Sequence, residues 1–154
     1  MKNTLLSLIL IIFSFSGFSQ ASGLKVINNS NCYALFRIFG SEDCSCRMDY
    51  YSNLIGVPSG GILYLTNTTH WLIGGNFPIS TPAYVHSVVM YGSKVCQDPY
   101  ISPLFGEPAC GYPTSIPFST QDWGCANLCD RLVAQWLHDD LSCEGTAYLT
   151  ILDL

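Results

Sequence analysis

The chain has 154 residues, 11% of them charged and 49% hydrophobic, with six basic against eleven acidic side chains and a formal charge of −5. Lys25, Arg37, Arg47, Lys94 and Arg131 are scattered, so no basic patch is present to neutralise phosphates and nucleic-acid binding is not expected. No apolar stretch after the N-terminal one approaches the roughly 20 residues of a membrane-spanning helix, so no transmembrane segment is expected in the mature chain.

Met1-Lys2-Asn3 is a short basic start, and Leu5 to Phe15 is an apolar run of export-signal length. Small residues follow it, which predicts a signal peptide over residues 1–19, with Ala21 as the later cleavage point. A retained N-terminal anchor is the alternative. Loss of Lys2 leaves five basic against eleven acidic residues, a mature charge of −6. The remainder, residues 20–154, has the length of one domain and buries roughly two-thirds of its unfolded surface.

From there the apolar periodicity is that of strands. Leu24 to Asn28 predicts a first strand, closed by the turn cluster Asn28-Asn29-Ser30-Asn31. Cys32 to Phe39 predicts a second. Asn53 to Val57 and Ile62 to Thr66 predict two more, joined as a hairpin across Pro58-Ser59-Gly60-Gly61. His70 to Ile73 reads as a short edge strand, and Tyr84 to Tyr91 as a central one. Between Gly92 and Pro117 five prolines predict a long loop, because proline cannot donate to a ladder. Cys125 to Asp140 fits either an amphipathic helix or a strand. The strand is preferred, with Leu132 to His138 pairing Thr146 to Leu152. The expectation is an all-β, single-domain antiparallel β-sandwich.

All eight cysteines, Cys32, Cys44, Cys46, Cys96, Cys110, Cys125, Cys129 and Cys143, lie beyond the signal. An exported chain meets an oxidising compartment, so they predict structural disulfides and a secreted protein. Cys44 and Cys46 flank one residue and would strain a mutual bond. The nearest partner for either is Cys32, and a Cys96 to Cys110 bond would close the proline-rich loop. The rival is a thiolate metal site from Cys44, Cys46, Cys125 and Cys129. Its spacing misses the usual zinc pairs, and no metal or cofactor is expected.

Catalytic signatures are weak. Gln121 to Ala126 departs from the papain-like nucleophile segment, lacking Cys-Gly before the cysteine and a distant downstream histidine. No Gly-x-Ser-x-Gly elbow is present. His86 sits mid-strand. His138 beside Asp139-Asp140 predicts a solvated hairpin loop. Asp139, Asp140 and Glu144 are a faint calcium candidate without the twelve-residue loop pattern. Asn28-Asn29-Ser30 and Asn67-Thr68-Thr69 match the glycosylation pattern.

That leaves the rings. Trp71, Tyr100, Phe105 and Tyr112 fall in or beside loops, where rigid apolar area with a polar tip suits sugars and protein partners. Trp71, Tyr100 and Tyr112 are the candidate ligand contacts, and no catalytic residue is assigned. The expectation is a secreted binding or adhesion module for an extracellular glycan or protein. The alternatives are a structural subunit of an extracellular assembly, and a hydrolase or inhibitor whose site the sequence does not display.

Overall fold

The computed structural model describes residues 21–66, 73–78, 83–92, 101–121, 128–139 and 145–154. The predicted signal segment, Trp71, Tyr100, Cys96, Cys125 and Cys143 lie outside them. The described residues form ten strands: β1 (Gly23–Asn28), β2 (Ala34–Ser41), β3 (Tyr50–Tyr51), β4 (Ile55–Val57), β5 (Ile62–Thr66), β6 (Tyr84–Tyr91), β7 (Phe105–Gly106), β8 (Ser115–Gln121), β9 (Leu128–His138) and β10 (Thr146–Asp153). No helix among the described residues is long and apolar enough to cross a membrane.

The strands form two sheets. One has the order β5-β1-β10-β9-β8. In the other, β2 pairs β6 along one edge and β3 and β4 along the opposite edge, and β7 extends the sheet beyond β6. Pairing is antiparallel except between β1 and β10, which run parallel. Residues facing inward from both sheets, among them Leu24, Val26, Phe36, Ile38, Val88, Met90, Phe105, Leu132, Trp136 and Leu149, share one core. Burial of this apolar area is the main stabilising term, at roughly 25 cal/mol per Å².

The β1, β2, β6 and β10 expectations hold, and the ambiguous segment is a strand: β9 pairs β10 from His138↔Ala147 to Leu132↔Asp153. The hairpin across Pro58 to Gly61 does not form. β4 pairs β2 in one sheet and β5 pairs β1 in the other. The reason lies in Asn28, which is fully buried. Its Nδ2 donates to the carbonyls of Cys32, Val57 and Pro58 at 2.8, 3.0 and 3.1 Å, and its Oδ1 accepts from Ser30. This side chain binds the turn from below, and the chain changes sheet there. It also means that Asn28 is structural, with no free amide to carry a glycan. The second glycosylation pattern, at Asn67, is outside the described residues.

The proline-rich stretch also differs from a plain loop. β8 includes Pro117 and forms the outer edge of its sheet, where a missing donor is tolerated. Of the predicted edge strand at 70–73 only Ile73 is described, and it is buried. The N-terminal side of the domain is tied to both sheets. Ala21 exchanges hydrogen bonds with Val85 of β6 (3.1 and 2.7 Å), and Ser22 donates to Gly145 just before β10.

Cys46 bonds Cys110, and Cys32 bonds Cys129. These replace the expected Cys32 to Cys44/Cys46 and Cys96 to Cys110 pairings. The observed bridges span 64 and 97 residues of sequence and clip distant elements together, so proximity along the chain was the wrong guide. Cys44 is disulfide-bonded as well, and no described cysteine is free.

Candidate functional site

Two clusters hold the described residues with chemical potential. The first lies at one end of the sandwich, around His86, Glu107 and His138. The β2–β6 register shifts between Phe39 and Gly40: Phe39 faces Ser87 and Gly40 faces Val85. His86 is therefore the extra residue of a β-bulge, a device that re-aims a side chain. Its Nε2 lies 2.9 Å from the carbonyl oxygen of Arg47 and so carries the proton, and its ring stacks on Tyr112 with centroids 6.0 Å apart. His86 Nδ1 is buried without a partner among the described residues. Burial pushes the His86 imidazole below the ordinary histidine value. The Arg47 carbonyl and the charges of Asp49 and Glu107 work against that shift.

Next to it, Glu107 follows β7 and donates its backbone N–H to the His86 carbonyl at 2.8 Å. Its carboxylate Oε2 lies 3.0 Å from His138 Nδ1, with the two side chains only 2% and 5% exposed. His138 continues the inward-facing set Leu132, Ala134 and Trp136 of β9. The pair therefore bridges the two sheets, and the expectation of a solvated His138 loop is overturned. Inward alternation along β9 outweighs the polar character of the residue. Gly106, at φ 152°, makes the approach: a Cβ there would run into the carbonyl oxygen of His86. The Cys46–Cys110 bridge holds the loop bearing Arg47 over this end.

The acid–base side chains of this cluster are nearly closed to solvent: His86 is fully buried, and Glu107 and His138 meet inside the sandwich. No group of three or more His, Cys, Asp or Glu able to hold a metal occurs among the described residues. Asp139, from the calcium candidate, caps the β9–β10 connection instead: Oδ1 accepts the Thr146 N–H at 3.0 Å and Oδ2 accepts the Tyr148 hydroxyl at 3.1 Å. Asp140 and Glu144 are outside the described residues. The thiolate metal site is excluded for Cys44, Cys46 and Cys129, which are disulfide-bonded.

The second cluster lies on the outer face of the five-stranded sheet. Lys25 faces Tyr64 across the β1–β5 ladder and Tyr148 across the β1–β10 ladder. Its Nζ sits 5.1 Å from the Tyr64 ring centroid and 5.9 Å from that of Tyr148. A hydrogen bond to Tyr64 raises the Lys25 pKa, so the ammonium keeps its charge. The bond to Asp139 raises that of Tyr148, so the phenol keeps its proton. An open cleft of about 300 Å³ lies along this row, floored by Gly23 and Lys25 and flanked by Tyr64, Thr66, Thr146 and Tyr148. Ile62 and Leu137 extend the same face, 59% and 67% exposed.

The candidate rings picked from the sequence fare differently. Tyr112 is half-buried against His86. Phe105 is wholly buried in the core and presents nothing to solvent. Trp71 and Tyr100 are outside the described residues. Sequence reasoning missed Glu107, Tyr64, Lys25 and Tyr148. The last three each occupy an outward position in a correctly expected strand. Bringing them into one row requires the parallel β1–β10 pairing, which joins residues 123 apart and leaves no local signal.

The fold is a two-sheet, disulfide-stapled all-β sandwich with a ring-lined cleft on one outer face. No family model matches the chain, and neither does any curated protein or solved structure.

Proposed function

We propose that the protein is a secreted, non-catalytic binding module of the extracellular space that binds through the outer face of its five-stranded sheet. The observation that carries this reading is the Tyr64–Lys25–Tyr148 row with its open cleft. Small-molecule sites are concave, largely apolar and rigid, with a few placed polar groups. The row offers a concave surface with rings and a few placed polar groups on paired strands. The closure of the Glu107–His138 pair supports a structural role for the acid–base residues, and the disulfides support an oxidising compartment.

A specific observation also favours an assembly subunit as the second reading: Ile62 and Leu137 expose apolar area on the same face. The test is a binding screen of the folded, secreted protein against immobilised glycans, extracellular-matrix proteins and cells. It is paired with sedimentation at rising concentration. Signal with the monomer supports the binding module. Self-association without any signal transfers the face to the assembly reading, and a monomer that binds nothing overturns both. The secreted protein is expected to begin at Gln20, because cleavage after Ala21 would discard the two Ala21–Val85 hydrogen bonds. N-terminal sequencing that returns Ser22 refutes this.

A further inference from the structure

Resting on the binding-module reading, we infer that the cleft between Tyr64 and Tyr148 is a subsite for an uncharged sugar ring. Three features select that class. First, the two phenol rings stand on neighbouring strands on either side of Lys25, and aromatic faces are the surfaces on which the C–H face of a pyranose packs. Second, the polar groups come in both senses. The Lys25 ammonium and Tyr64 hydroxyl offer donors, and the hydroxyl oxygens of Tyr148 and Thr146 offer acceptors. Sugar hydroxyls donate and accept at once, and they use such a set fully. Third, the charges cancel locally. The cleft holds one cation, which lies over two rings, and the Asp139 carboxylate behind Tyr148 offsets it.

Other ligand classes fit less well. A polyanion would meet a chain of net charge −5 with a single cation in the cleft. A flat apolar partner does not require Gly23. Here Gly23 lies between Thr66 and Thr146 in register, and its missing side chain opens the cleft floor. A Cβ at this position would stand 3.4 Å from the Leu65 carbonyl oxygen and 3.7 Å from Thr66 Cγ2, ordinary contact distances. The backbone therefore tolerates a side chain here, and the opening is a property of the surface.

The experiment is a nuclear magnetic resonance and calorimetric titration of the secreted protein at up to ~10 mM ligand. The probes are soluble neutral oligosaccharides: β-1,4-linked glucose, β-1,4-linked N-acetylglucosamine and α-linked mannose hexamers. Oligogalacturonate serves as the acidic comparison. At least one neutral probe is expected to bind, with perturbed signals at Gly23, Lys25, Tyr64 and Tyr148. Tyr64→Ala and Gly23→Val are each expected to weaken binding at least about tenfold. Tyr51→Ala is expected to leave binding unchanged, because that ring is also exposed but sits on the other sheet over Arg37. If no neutral probe binds, the inference falls, while a protein ligand found in the screen would leave the binding-module reading standing. Neutral binding that maps elsewhere, or that survives both cleft variants, overturns the assignment. Binding of oligogalacturonate alone overturns the sugar class. The mapping on the unaltered protein decides the matter even if a variant fails to fold.

Discussion

The end of the sandwich that holds His86, Glu107 and His138 and the outer face that holds Tyr64, Lys25 and Tyr148 have opposite relations to water. The first set contains the residue types that usually do chemistry, yet Glu107 and His138 are 2% and 5% exposed and meet across the two sheets. The second contains residue types that usually pack, yet Tyr64 is 57% exposed beside an open cleft. Residue type alone would assign the roles the other way round. What decides is the face of the strand: β9 turns its even-numbered residues inward and carries His138 with them, while β5 turns Tyr64 outward. The buried polar cluster is then a clasp between sheets, and the exposed rings are left for a partner.

The largest expected effects lie at the buried end. Removing the bridge above it, by Cys46→Ser with Cys110→Ser, is expected to cost about 4 kcal/mol, since it frees a 64-residue separation in the unfolded chain. Chemical denaturation reads this directly, and a loss under ~1 kcal/mol would mean that the loop over His86 holds without its staple. Glu107→Ala leaves His138 Nδ1 facing a cavity in the core, at an expected cost of about 2–3 kcal/mol and a fall in thermal midpoint of roughly 10 °C. Glu107→Gln keeps an acceptor oxygen and is expected to cost less. Equal stability of Glu107→Ala and the parent protein would show that the pair is not a clasp.

How far the sequence revealed this contrast follows from the range of each interaction. Tyr84 to Tyr91 and Thr146 to Leu152 read as strands because alternation is a local property, and the β9–β10 pairing follows from a short connection. Asn28 could not be foreseen as the residue that diverts the Pro58 to Gly61 turn, because its hydrogen bonds to Val57 and Pro58 cross about thirty residues. β8 was hidden by Pro117, which an edge strand accepts. For the cleft, each residue lies on an expected strand, but the row exists only through the parallel β1–β10 register. Glu107 is one acid among eleven, and its partner His138 sits on the other sheet.

The third expected effect is smaller and concerns pH. Burial lowers the His86 pKa below its unfolded value, so the unfolded chain takes up the proton first as pH falls. The stability associated with neutral His86 is present above the ordinary histidine value near 6.5 and is lost as pH drops from there toward the folded pKa. The slope from this one group is at most about 1.4 kcal/mol per pH unit. The charges of Asp49 and Glu107 act on the same ring, so the measurement is a difference: stability against pH for the parent and for His86→Gln. The variant is expected to be less stable at pH 8 and to have a flatter profile between pH 6.5 and 5. Parallel profiles would mean that His86 is protonated in the folded state as easily as in the unfolded one.

The smallest expected effect on stability is the one that separates the two clusters most sharply. Tyr64→Ala removes a large ring, and if exposed rings on this sheet were holding the fold together, the thermal midpoint would drop. Its neighbours on the same strand argue otherwise. Leu65 is 1% exposed and provides the strand's anchor to the core, and Tyr64 points away from that contact. The ring lies on the outer face, and its partner Lys25 keeps its contact with Tyr148 when the ring is removed. We therefore expect Tyr64→Ala to unfold at the same temperature as the parent by scanning calorimetry, and Leu65→Ala to unfold well below it, as large-to-small core substitutions do. A clear drop for Tyr64→Ala would reclassify the row as a structural ladder of cross-strand pairs, and the outer face would lose its claim to be a surface kept free for a ligand.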